Sequence, residues 1–170
     1  MSAGQRDRPR RMVVVLAVAA LVIGIDQATK TWAEHRVNGR SIEVGWTLRL
    51  RLTLNPGIAF SLGRGSTPVV TVVATVILVV VGVVAWRSSG RLMAVALGLI
   101  IGGAAGNLLD RLLRHHGGQV IDFIDLRWWP VFNVADAAVS CGVVLALVAN
   151  LLAERQAARS TPAPPPGSKP

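Results

Sequence analysis

Two aspartates in this sequence stand where carboxylates are seldom found. Asp122 lies in Val120-Ile121-Asp122-Phe123-Ile124, and Asp136 lies in Phe132-Asn133-Val134-Ala135-Asp136-Ala137-Ala138. Two carboxyl groups brought together in apolar surroundings do not both ionise easily. Sharing one proton they can hold a water molecule, one acting as base and the other as acid. That is chemistry for hydrolysing a peptide without a metal or a covalent intermediate. Other hydrolytic constellations are poorly supplied: His115-His116 lacks metal-ligand spacing, no HExxH occurs, and no serine stands in a nucleophile elbow. Ser140 reads as a helix-packing hydroxyl. The single cysteine, Cys141, excludes disulfides and cysteine-based zinc sites within one chain and reads as a small apolar packing residue. No metal and no cofactor are expected.

The elements that must position these acids are apolar. Of the 170 residues 52% are hydrophobic and only 16% charged, too apolar for an ordinary soluble domain. The apolar residues fall in blocks at 12–25, 69–86, 92–109 and 134–152. With its flanks each approaches the roughly 20 residues that a helix needs to cross a bilayer. Backbone in lipid must satisfy its own hydrogen bonds, so the expected fold is an α-helical integral membrane protein of four transmembrane helices. A cleavable signal peptide is the competing reading of the first block, since Arg10 and Arg11 precede it. The block instead continues into Asp26, Gln27 and Lys30 and ends on Trp32, with no clear small-residue cleavage site. The formal net charge of +9 comes from basic residues scattered over loops and termini without a nucleic-acid motif, so anionic lipid headgroups are the simpler partner.

Orientation follows from arginine. Arg6, Arg8, Arg10 and Arg11 precede the first span, and Arg87 and Arg91 flank the short turn between spans two and three, which predicts both termini in the cytoplasm. Trp32, Trp86, Trp128 and Trp129 then fall at span ends, where an indole sits half wet and half buried. In the first outer loop Ile42, Val44, Trp46, Leu48, Leu50, Leu52 and Leu54 alternate with Ser41, Glu43, Gly45, Thr47, Arg49, Arg51 and Thr53. Period two predicts strand. Asn55-Pro56-Gly57 supplies a turn, and residues 58–62 are expected to pair back as a second strand. The result is a small β-sheet on the outer face, either a cover or a substrate guide. The expected organisation is a basic cytoplasmic stretch at 1–11, a four-helix membrane domain at 12–153 with a β-rich loop at about 36–67, and a disordered cytoplasmic tail at 154–170, its last ten residues rich in proline.

With that orientation Asp26, Asn55, Asn107, Asp110, Asp122, Asp125 and Asp136 all lie toward the outer face. Ionisable groups in spans are costly and by default suggest function. Asp26 and Lys30, four apart, can meet on one helix, and a structural ion pair and a catalytic role both fit that spacing. Ala94, Gly98, Gly102, Gly106 and Asp110 form one stripe of span three, whose small residues admit a close neighbour and hold Asn107, Asp110 and Arg111 at the rim. Arg111 suits an acid or a substrate carbonyl.

Five segments carry a resemblance. They are Asp26-Gln27-x-x-Lys30; Asn55-Pro56-Gly57-Ile58-Ala59-Phe60; Gly102-Gly103-Ala104-Ala105-Gly106-Asn107-Leu108-Leu109-Asp110-Arg111; Val120-Ile121-Asp122-Phe123-Ile124-Asp125; and Phe132-Asn133-Val134-Ala135-Asp136. In this order they resemble the lipoprotein signal peptidases, or signal peptidases II, over roughly residues 12–152. The resemblance implies an aspartic endopeptidase of the bacterial inner membrane, built of four helices with an outer sheet that cradles the substrate. It removes signal peptides from prolipoproteins just before a diacylglyceryl-modified cysteine and is inhibited by globomycin. It further implies Asp122 and Asp136 as the catalytic pair, Asn107, Arg111 and Asn133 as positioning groups, and Asp26, Lys30, Asn55, Gly57 and Asp110 as support. Pro56 and Ala137 depart slightly from the family pattern without removing a required group. Two other classes compete: a small proton-coupled transporter using Asp26 and Asp136, and a noncatalytic assembly subunit. A transporter should place its acids near the midplane, often between repeats, and here no repeat is visible and the acids gather at one rim.

Overall fold

A computed structural model describes residues 7–57 and 67–160. In chain order the elements are α1 (Arg8–Arg36), β1 (Ser41–Glu43), β2 (Arg49–Asn55), α2 (Thr67–Arg87), α3 (Arg91–Leu113), β3 (Val120–Asp125) and α4 (Val134–Ser160). All four helices are long and apolar enough to cross a membrane. At about 1.5 Å per residue α1 spans roughly 43 Å, more than a bilayer's hydrocarbon core of about 30 Å, so its last turns reach beyond the lipid tails. Pro9 lies in its first turn, where a missing N–H costs nothing.

α3 lies against the other three helices, and its glycines explain how closely. A Cβ on Gly98 would fall 2.9 Å from the Val15 carbonyl oxygen, and one on Gly102 would fall 2.8 Å from that of Ala19, both on α1. On the other side a Cβ at Gly103 would meet Val139 of α4 at 2.7 Å. α4 returns the arrangement, since a Cβ at Gly142 would lie 2.8 Å from the Ala96 carbonyl oxygen. Lipid gives helices no hydrophobic reason to associate, and backbones this close recover dispersion contacts instead.

The strands form one antiparallel sheet in the order β1-β2-β3. The alternating run expected as one strand is broken in two, because residues 44–48 form a hairpin turn in which Val44 and Gly45 donate backbone N–H groups to the Leu48 carbonyl. Period two persists across a hairpin and so does not mark the break. The strand expected at 58–62 lies outside the described residues. On the side away from β1, β2 pairs with β3, from the distant 114–133 connection. A second difference concerns the 154–170 segment: α4 continues through residues 154–160, a stretch of helix-favouring Ala, Glu, Arg and Gln, while 161–170 lie outside the described residues.

The β2–β3 register shifts by one residue between Leu50 and Thr53: Arg49 pairs with Asp125 and Leu50 with Ile124, but Thr53 pairs with Asp122 and Asn55 with Val120. Unshifted, Asp122 would pair with Leu52, and Asn55 would face the opposite side of the sheet. The bulge thus sets Asn55 and Asp122 on a common face. Beneath the sheet Phe123 packs with Ala33 of α1 and Val37 just past its end, tying the strands to the end of the bundle.

Candidate active site

The polar residues converge where β3 and the start of α4 meet the last turns of α1 and α3. The beginning of α4 is the geometric centre. Asn133 is its N-cap, accepting the Asp136 backbone N–H on Oδ1 at 2.9 Å, while the Asp136 carboxylate accepts the Asn133 backbone N–H at 3.2 Å. This reciprocal capping box fixes the Asp136 side chain against its own helix terminus. The Ala135 N–H, another amide without an intrahelical partner, is satisfied from a different helix by Asp26 Oδ1 at 3.0 Å.

The Asn133 amide group then reaches the second acid. Its Nδ2 donates to Asp122 Oδ1 at 2.7 Å and lies within bonding distance of Asn107 Oδ1 and the Ile121 carbonyl. Asn107 Nδ2 donates to Asp136 Oδ1 at 2.8 Å. Asn55 Nδ2 donates to the remaining oxygen of Asp122, also at 2.8 Å, and Asn55 Oδ1 accepts the Gly57 N–H, locking the amide by a local turn. Gly57 adopts φ +87°, a backbone conformation that favours glycine, and a Cβ there would lie 2.7 Å from Arg111 Nη2 and would displace that side chain.

Asp122 is only 1% exposed. Burial is the main cause that raises its carboxyl from the ordinary range to about 6, and the neighbouring charge of Asp136 adds to it; the Asn55 and Asn133 donors and the Lys30 charge oppose it. Asp136 is half-buried. Arg111 extends alongside within the field of both acids. One of its terminal nitrogens donates to the Asn107 carbonyl at 3.3 Å, whereas its buried Nε has no hydrogen-bond partner among the described residues.

Behind the acids lies a buried ionic cluster. Lys30 Nζ stands 2.8 Å from Asp26 Oδ2, 2.9 Å from Asp110 Oδ2 and 2.9 Å from Asn107 Oδ1, with all three charged groups sealed from solvent. Asp110 also accepts the Ile121 N–H at 3.1 Å, which anchors β3 to α3. The Asp26–Lys30 pair expected from spacing therefore exists and is shared with a third charge. Ten residues singled out in the sequence, Asp26, Lys30, Asn55, Gly57, Asn107, Asp110, Arg111, Asp122, Asn133 and Asp136, thus meet at one end of the bundle. Asp125 belongs elsewhere: Arg49 and Arg51 hold its carboxyl well below the usual range at the edge of the sheet.

Gln27 is a member that sequence reasoning missed; its amide bridges Asp26, Asp110 and the Gly106 carbonyl. Arg114 was missed too, joined to Gln27, Thr31 and Glu34 of α1. Gln27, Thr31 and Glu34, spaced four and three apart on one α1 face turned toward α3, and Gln27's place beside Asp26 were the available signals.

Residues 18–152 match the family model described as signal peptidase (SPase) II. The chain belongs to the signal peptidase II family. It is 41% identical to a lipoprotein signal peptidase of Rhodococcus jostii over 84% of this chain and 75% of that one. It is also 41% identical to one from Mycobacterium avium over 88% and 86% of the two chains. Among solved structures, a bacterial membrane enzyme determined in meso at 1.9 Å superposes with a TM-score of 0.72 at 30% identity, covering 81% of this chain and 92% of the other. A second, at 2.3 Å, gives 0.73 at 28% identity over 88% and 94%. The protein is accordingly a multi-pass membrane peptidase of the aspartic type, acting on signal peptides of lipoproteins, and the transporter reading gives way.

Proposed function

We propose that Asp122 and Asp136 are the catalytic pair of an endopeptidase that cuts prolipoproteins immediately before a diacylglyceryl-modified cysteine. The observation that carries this reading is Asn133, whose side-chain nitrogen donates to the Asp122 carboxylate and whose backbone N–H donates to the Asp136 carboxylate, so that one residue holds both acids. One carboxylate takes a proton from water as the water oxygen bonds to the scissile carbonyl carbon. The other carboxyl gives its proton to the carbonyl oxygen. As the C–N bond breaks, the first returns its proton to the departing amine, and the second recovers one from the hydroxyl. Arg111, whose buried Nε has no hydrogen-bond partner among the described residues, is suited to the carbonyl of the bound peptide.

Asn107 and Asn133 orient the acids, Asn55 and Gly57 hold Asp122 from the sheet side, and Asp26, Lys30 and Asp110 brace the helix ends. In this reading the site faces outward from the bacterial inner membrane, with both termini in the cytoplasm, and the lipid of the substrate remains among membrane lipids beside the bundle. The charge distribution supports that orientation, with Arg8, Arg10, Arg11, Arg87 and Arg91 at the end opposite the acids. Purified protein is expected to cleave a diacylglyceryl-modified precursor, to leave the unlipidated form uncut, and to be blocked by globomycin. Equal turnover of both precursors would contradict the substrate assignment.

A further inference from the structure

Lys30 sits among linked charges. Asp26 and Asp110 are its two anionic partners, and Arg114, whose Nε lies 3.2 Å from Asp110 Oδ1, is shared with a third carboxylate, Glu34. Ion pairing alone leaves the third contact of Lys30 unexplained, for it goes to Asn107 Oδ1. Asn107 in turn donates its N–H to Asp136. A cation on the oxygen of an amide draws electron density from its nitrogen and strengthens the hydrogen bond that the nitrogen donates, and low dielectric enlarges the effect. Asp136 also lies in the first turn of α4, accepting the Asn133 N–H, where the helix dipole favours negative charge. Among the described residues Asp122 takes hydrogen bonds on its oxygens from the neutral side-chain amides of Asn55 and Asn133, in a setting almost closed to water. The two acids are therefore placed unequally.

We propose that Lys30 is a positioning residue that acts through the Asn107 amide to make Asp136 the base of the pair and to leave the shared proton on Asp122. This rests on the reading of Asp122 and Asp136 as the reacting acids. The charged groups facing Asp136 are Arg111 of α3 and Asp122 of β3, with Lys30 and its counter-ion Asp26 on α1 one hydrogen bond farther away.

Lys30→Gln alone would leave the buried anions in excess, so the charge-balanced Asp26→Asn/Lys30→Gln variant tests the relay, beside Asp26→Asn. In the full-length protein the acidic limb of the kcat/KM profile on a lipidated precursor is expected to move up by about one pH unit in the double variant. It is expected to move down in Asp26→Asn, where Lys30 keeps its charge and loses a counter-ion. A packing role would change the yield of folded protein without moving the limb. An unmoved limb in either folded variant overturns the proposal. A measurement that needs no Lys30 variant is the carboxyl titration of protein labelled with 13C in aspartate, with signals assigned by Asp122→Asn and Asp136→Asn. In the active form of the enzyme the shared proton is expected to be found on Asp122, and finding it on Asp136 overturns the assignment. Failure of the wild-type chain to cleave the precursor would strike the reading of the site itself, whereas an active enzyme with an unmoved limb strikes only the role of Lys30.

Discussion

α2 and α3 are neighbours in sequence, similar in length, and both apolar enough to span a bilayer, yet they serve opposite ends. None of the most apolar stretch of α2 is buried, against 39% of that of α3. α2 is a run of valines, many half exposed, that turns toward lipid. α3 replaces bulk with Gly98, Gly102, Gly103 and Gly106 and ends in Asn107, Asp110 and Arg111. Hydrophobicity earns a helix its place in the membrane, but close backbone packing is what gives a polar terminus a fixed geometry.

The contrast makes the two helices unequal in their response to substitution. Gly102→Leu must push a side chain into the Ala19 backbone and is expected to destabilise by about 3 kcal/mol, read as a lower melting temperature in detergent, with cleavage lost in step. A wild-type melting curve would mean that α1 and α3 are not held this closely. Asn133→Ala removes a helix cap and strands the amide partners of Asp122 and Asn107; a loss of about 2 kcal/mol is expected, with a fall in kcat larger than that loss of folded protein explains. At the edge of the sheet Asp125→Asn is expected to have a smaller effect. Its carboxyl lies below the ordinary range in the fold, so its contribution is present above the unfolded value near 4 and fades as pH falls through the folded one. Wild type and variant should therefore differ at neutral pH and converge in strong acid. Val76→Leu on α2 is expected to change stability by under about 0.5 kcal/mol, and a large loss there would show α2 to be more than a lipid-facing wall.

The spans were legible because long apolar blocks have few alternatives in a bilayer, and the acids because carboxylates among Val, Ile and Ala are conspicuous. Other features had no marker in residue type. The N–H groups of Ile121 and Ala135 that bind Asp110 and Asp26 belong to the backbone, and any residue but proline supplies one. The bulge that turns Asn55 toward Asp122 changes which side chains share a face without changing their alternation. The partnership of β2 with β3 joins segments about 70 residues apart, a distance over which local pattern says nothing.

The most direct measurement is the turnover of a diacylglyceryl-modified precursor by purified Asp122→Asn, Asp136→Asn and the double variant, each with wild-type melting behaviour. Asparagine preserves shape but exchanges no proton, so each single variant is expected to lose at least about 1,000-fold in kcat, and the double variant to be scarcely worse than either. Near-normal turnover by either folded single variant, or losses that simply add, would contradict a pair of acids working as one unit.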